Sequence, residues 1–358
     1  MSALKPLILA QIAAQGPMRL SDYMSLCLLH PQHGYYTTRP PFGSQGDFIT
    51  APEISQMFGE MLGLCLAQAW LDQGAPSAFT LAELGPGRGT LMADVLRATR
   101  GVTGFHAAMS LHLIEASPAL QAEQAQLLAG HKVQWHTDVA PLPEAPLYLL
   151  ANEFFDALPI RQFHREGQGW AEVLVGARGD DLVFGKSVPM TSAALAPWLA
   201  FTPMGGIVEH CPAALPVIDS LAQRISRHGG AALIVDYGGW NGLGDTFQAM
   251  RAHGFADPLD SPGLADLTAH VDFAPLAAQA EQGGLQVQYT QQGAFLMALG
   301  LMQRAARLRQ NLDPRAAQSH LAATERLTNP NEMGQLFKVL GLSPQGAPPL
   351  AGFDTPTP

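Results

Sequence analysis

Residues 81–98, LAELGPGRGTLMADVLRA, place an acid, Glu83, just before a turn in which glycine recurs at every second position: Gly85, Gly87 and Gly89. An apolar run, a glycine turn and a helical pattern in succession read as strand, loop and helix. Such a junction offers backbone N–H groups and the positive end of a helix dipole to a ligand. Dinucleotides and S-adenosylmethionine are the two ligand classes that compete for it. The dinucleotide fingerprint needs G-x-G-x-x-G, whereas here the spacing is G-x-G-x-G and Thr90 stands where the third glycine would tighten the packing. Glu83 would repel a pyrophosphate but suits a cofactor whose ammonium and sulfonium are both positive. The expectation is S-adenosylmethionine, with S-adenosylhomocysteine as its spent form. A plain tight turn, a non-catalytic assembly factor that binds the cofactor only to order its lid, and a nicotinamide-dependent oxidoreductase are the alternatives.

Further acids fall where later strands should end. Glu115 closes SLHLIEA, where a carboxylate can accept both ribose hydroxyls of an adenosine, or merely cap a strand end. Asp138 closes KVQWHTD and is a candidate acceptor for the adenine amine, or a turn-forming aspartate before Val-Ala-Pro. Asn152, Glu153 and Asp156 leave the apolar run LYLLAN together. Methyl transfer from sulfur is an in-line displacement that needs its nucleophile positioned, deprotonated and desolvated. Acids at this point could orient a guanidinium or amine while Phe154 and Phe155 exclude water; the alternative is a helix cap and a first-turn acid. His270 and Asp272, two apart in an extended stretch, would face one side and could shuttle a proton. The stretch 46–60 reads as a lid over the pocket, with Asp47 or Glu53 reaching in, Glu53 being otherwise a helix-capping acid.

The elements that must hold these residues follow from periodicity. From residue 79, apolar strands alternate with helical segments through residue 155, which predicts a doubly wound α/β fold with a parallel sheet covered on both faces. Residues 161–187 alternate polar and apolar with Gly and Asp-Asp breaks, the pattern of an inserted antiparallel meander. Before the sheet, residues 1–75 read as mainly helical, with Leu4, Leu7, Ile8 and Ile12 at helical spacing and Ser21/Asp22 capping the next helix. The expected organisation is a helical cover and lid over 1–75, a methyltransferase domain over 76–345 with a β insertion at about 161–210, and a loose tail over 346–358. Ligands in such sheets lie outside the carboxyl ends of the strands, at the switch point.

Composition narrows the function classes. The chain has 358 residues, 47% hydrophobic and 14% charged, with a formal net charge of −10. That balance supports a sizeable core and argues against a nucleic-acid partner, which requires a basic face. Cys27, Cys65 and Cys211 are scattered and odd in number, which fits buried thiols in a reducing compartment rather than disulfides or a metal site. No apolar run is long enough to span a membrane, and the N-terminus resembles neither a signal peptide nor a transit peptide, so a cytoplasmic location is expected. Oligomeric state is not legible.

Five stretches in this order, GDFITAPEISQMFGEMLG, LAELGPGRGTLMADVLRA, ANEFFDALPIRQF, ALIVDYG and ADLTAHVDFAPL, resemble the MidA family of class I S-adenosylmethionine-dependent methyltransferases, which includes the mitochondrial complex I assembly factor 7. The resemblance runs from about Leu20 to Leu340. It implies a Rossmann-like, seven-stranded methyltransferase sheet and protein arginine methylation, with a bacterial member fitting better than a mitochondrial one. In the mitochondrial relative the substrate is a core subunit of NADH–quinone oxidoreductase, symmetrically dimethylated at arginine. By the same resemblance Gly85, Gly87 and Gly89 match the cofactor loop, Glu115 the ribose acid, and Asn152, Glu153 and Asp156 the strand-four motif whose acids hold a guanidinium. Ala294 departs from the family's pattern, where an acid is expected.

Overall fold

The computed structural model describes residues 2–38 and 50–353. Asp47 lies outside the described residues. The chain forms two compact units: a sheet unit of residues 49–155, 217–238 and 275–358, and an accessory unit of residues 1–48, 156–216 and 239–274.

In the sheet unit, seven strands of one sheet are described: β1 (Phe79–Leu84), β2 (Met109–Ile114), β3 (Val133–His136), β4 (Leu147–Asn152), β5 (Gly230–Gly239), β6 (Leu285–Gln291) and β7 (Phe337–Pro344). Their spatial order is β3-β2-β1-β4-β5-β7-β6. The first five are mutually parallel. β7 runs antiparallel between β5 and β6. β1 and β4 are buried along their whole length, as a strand covered on both faces must be, which is why their sequences read as unbroken apolar runs. The order reverses between β1 and β4, so the switch point lies beside the glycine turn.

Helix α1 (Gln56–Asp72) starts at Ser55, whose hydroxyl accepts from the Met57 N–H. It lies close against α2 (Thr90–Thr99): a Cβ on Gly63 would sit 3.0 Å from Val95 Cα. Trp70, Phe79, Phe105 and Tyr148 make an aromatic cluster with centroids 4.8–5.9 Å apart. Residues 346–353, expected to be loose, are packed. Leu350 and Phe353 are buried in the sheet unit's core, and the Phe353 ring lies 5.0 Å from that of Phe295. Two apolar anchors outweigh the prolines around them.

In the accessory unit, the antiparallel strands Arg161–Glu166, Gly169–Arg178, Asp181–Lys186 and Ile207–His210 supply the expected insertion. Helices Leu4–Gln15 and Leu20–Leu29 pack on it through Leu4, Ile8, Ile12, Tyr23 and Met24, which share a core with Val175 and Leu182. Leu7 does not join this stripe and is exposed. The second helix begins at Leu20 with Arg19 at its N-cap, so Ser21 and Asp22 lie inside its first turn rather than capping it. α1 buries its face against α2, whereas the two earlier helices bury theirs against the inserted strands. A further small sheet, Gln248–Arg251 with Gly254–Ala256 and Asp266–Thr268, completes this unit.

Candidate active site

The glycine turn connects β1 to α2. Gly85, Gly87 and Gly89 have φ of +59°, +53° and +85°, left-handed values that residues with a Cβ rarely adopt. The Gly85 N–H continues the ladder to the Ile114 carbonyl at 3.0 Å. A Cβ at Gly85 would lie 3.0 Å from the Phe154 ring, and one at Gly89 3.3 Å from Gln124 Cγ. The loop is thus a bare cradle with neighbours already in contact. Glu53 fixes its outer side by accepting from Thr90 Oγ1 at 2.6 Å and pairing with Arg88 at 3.5 Å.

Glu83 is 2% exposed. Its Oε2 has no hydrogen-bond partner among the described residues. Burial, with the Glu115 charge adding to it, pushes its carboxyl up to about 8 against the one bond it receives from the Met92 N–H. A buried carboxyl in that state gains from a cation. At the tip of β4, Asn152 leaves its Oδ1 similarly unpaired among the described residues, while its Nδ2 donates to Glu153 Oε1 at 3.2 Å. These orphaned acceptors fit a cationic amino acid moiety.

Glu115 stands just beyond β2. Its Oε1 accepts from the Ser117 N–H at 2.7 Å and its Oε2 from Gln124 Nε2 at 3.3 Å. Burial raises its carboxyl while these bonds pull it down. With the Ala116 N–H also bonding to this carboxylate, roughly one of its four acceptor positions is left for a ribose hydroxyl. Gln124 and Trp135 in this network carry no sequence motif; the only signal is glutamine at 121 and 124, three apart on α3 (Pro118–Leu127).

Asp138 takes up the second of its two expected roles. It is exposed, and its Oδ1 accepts from the Ala140 N–H at 2.6 Å. That is the turn-forming role; it uses one carboxylate oxygen and leaves the other for a further donor.

Glu153 has φ +50°, one of few non-glycine residues with a positive value. Its N–H donates to the Val235 carbonyl at 2.9 Å, and its Oε1 also accepts from the Ala51 N–H at 3.4 Å. Asp236 on β5, fully buried, accepts from the Phe155 N–H at 3.1 Å and so holds the turn from below. The sequence offered Asp236 only as part of an apolar strand.

Asp156, His270 and Asp272 belong to the accessory unit. The Asp156 carbonyl accepts from the Ala269 N–H at 3.0 Å, which brings the Asp156 backbone next to the His270 segment. His270 is exposed, and its N–H donates to Thr246 Oγ1 at 2.8 Å. Asp272 accepts from the Ala274 N–H at 3.1 Å and so caps the helix that begins at Phe273. Burial raises its carboxyl to about 6.

Comparison with known proteins bears on the ligand. Residues 61–291 match a family model described as "Putative S-adenosyl-L-methionine-dependent methyltransferase". "Protein arginine methyltransferase NDUFAF7 homolog, mitochondrial" of Drosophila melanogaster is 38% identical over 94% of this chain and 83% of its own length. The Danio rerio protein "Protein arginine methyltransferase NDUFAF7, mitochondrial" is 37% identical over 92% and 84%. The solved structure of a Burkholderia thailandensis protein bound to S-adenosyl-homocysteine is 29% identical, with a TM-score of 0.84 over 98% of this chain and 94% of that one. The charge argument at Glu83, which favoured the sulfonium cofactor over a dinucleotide, agrees with that ligand. With S-adenosylmethionine as its cofactor, the chain belongs to this family of S-adenosyl-L-methionine-dependent methyltransferases.

Proposed function

We propose that the chain methylates an arginine of a protein substrate. Gly85, Gly87 and Gly89 cradle the cofactor, Glu83 and Asn152 receive its amino acid moiety, and Glu115 accepts its ribose hydroxyls. The cofactor supplies an electrophilic methyl group; the residues supply charge and position. Glu153 carries the proposal. It is a carboxylate held in a left-handed backbone conformation at the tip of β4, beside the switch point. Strain of that kind is retained where the surroundings over-determine it, and it clusters at active sites. A carboxylate there can hold a guanidinium by charge-assisted hydrogen bonds, orienting one nitrogen as nucleophile. Asp156, and the His270–Asp272 stretch as proton acceptor, enter by their chemistry alone, each to be tested by its own substitution.

The similar proteins named as arginine methyltransferases support this substrate class. By the family resemblance, a subunit of NADH–quinone oxidoreductase is the first substrate to try. Incubation of a cell lysate with this chain and S-adenosylmethionine labelled in the methyl group tests the reading. Label on one or a few proteins, recovered as methylarginine after hydrolysis, is the expected result. Label confined to small molecules, or to residues other than arginine, overturns it.

A further inference from the structure

Gln124 is fully buried. Its side-chain amide ties together three parts of the chain that are distant in sequence. Nε2 donates to the Gly87 carbonyl at 2.7 Å and to Glu115 Oε2 at 3.3 Å, and Oε1 accepts from the Trp135 indole N–H at 2.9 Å. Both donors and the acceptor are used, so the amide orientation is fixed by its partners. Helix α3 is anchored at the same place: Gln121 Nε2, one turn earlier, donates to the Glu115 carbonyl at 2.8 Å.

Two consequences follow. In a trans peptide the C=O and N–H point in opposite directions. Holding the Gly87 carbonyl on Gln124 therefore fixes the direction of the Arg88 N–H, a backbone donor of the cofactor loop, at a position where a glycine φ would otherwise allow the peptide to turn over. The bond to Oε2, with the Ser117 N–H on Oε1, fixes the plane of the Glu115 carboxylate. An apolar side chain at 124 would leave the Gly87 carbonyl and the Trp135 N–H unsatisfied in the interior and release both the loop and the acid.

We propose that Gln124 is a positioning residue that sets the glycine loop and Glu115 in register for the nucleoside. The inference rests on the reading of Glu115 as the ribose acceptor. It is tested by calorimetric titration with S-adenosylhomocysteine and with its 2′-deoxy analogue. In the unaltered chain, loss of the 2′-hydroxyl weakens binding about tenfold or more, the value of a hydrogen bond to a charged group. Gln124→Met brings that ratio to about threefold or less and weakens S-adenosylhomocysteine itself about tenfold. Trp135→Phe, which removes only the indole donor, keeps the ratio.

A structural role alone would lower the melting temperature of Gln124→Met and leave the ratio as in the unaltered chain, which overturns the proposal. Glu115→Gln separates the two readings: if it retains the full ratio, the assignment of Glu115 fails. If it loses the ratio while Gln124→Met keeps it, only the role of Gln124 fails. Should Gln124→Met not fold, Gln124→Asn makes the same comparison, since its amide is one methylene shorter and draws back from Gly87 and Glu115 without adding a charge. In the unaltered chain, amide exchange over residues 121–127 slows when S-adenosylhomocysteine binds; unchanged exchange there contradicts the coupling.

Discussion

Charge at single residues carries the cofactor reading. Glu83 has its carboxyl raised to about 8, above the 4.5 of an exposed glutamate. Between those values the folded chain holds a proton that the unfolded chain releases, so this group's contribution to stability declines as pH rises from about 4.5 toward 8. The cofactor's ammonium favours the ionised carboxylate, so binding has the opposite sense. Affinity for S-adenosylhomocysteine rises with pH up to about 8, with release of a proton. Titration in buffers of different ionisation enthalpy measures both effects. In Glu83→Gln the affinity is lower and this pH dependence disappears; a slope unchanged from the parent protein rules Glu83 out as its source. Glu153→Gln keeps cofactor affinity but lowers methyl transfer about a hundredfold; equal losses of both would place Glu153 in cofactor binding instead. The sequence showed Glu83, Glu115 and Glu153 because strand-end acids beside a glycine turn are a local pattern. It could not show which acids the backbone had already engaged. Asp138 and Asp272 each accept an N–H two residues on; Val-Ala-Pro after Asp138 signalled its turn, whereas the cap at Asp272 was not read from the sequence.

Elements place those residues. The parallel strands and the glycine turn were legible because turn chemistry and periodicity are short-range. The contacts of α3 were not, since the partners of Gln121 and Gln124 come from other strands and loops. The close approach of α1 and α2 rests on Gly63, whose Cβ position lies 3.0 Å from Val95 Cα. Gly63→Val forces the helices apart and lowers stability by about 1–3 kcal/mol, read from thermal or urea unfolding. An unchanged midpoint would show that the helices separate without cost. Gly89→Ala introduces a Cβ at φ +85°, 3.3 Å from Gln124 Cγ. It weakens S-adenosylhomocysteine more than it lowers the melting temperature, because the strained turn is the binding surface.

At the scale of the molecule, the chain passes from one unit to the other five times, and such interleaving was hidden in the sequence. Composition along the chain signalled the β insertion, but nothing local says that residues 2–38 share its core. The C-terminal residues were misread for the same reason. Proline and glycine mark residues 344–352 as irregular, while the burial of Leu350 and Phe353 is decided by Phe295 and its neighbours. Phe353→Ala lowers stability by about 3 kcal/mol, a loss visible in thermal unfolding; a change under about 1 kcal/mol would show the tail to be dispensable. Among the described residues no helix is long and apolar enough to cross a membrane.

A crystal structure of the chain with S-adenosylhomocysteine decides whether the glycine turn and the strand-end acids hold the cofactor. The homocysteine portion is expected over Gly85–Gly89 with its ammonium toward Glu83, and the ribose hydroxyls within hydrogen-bond distance of Glu115. A nucleoside bound elsewhere, or one that makes no contact with Glu115, would contradict this placement.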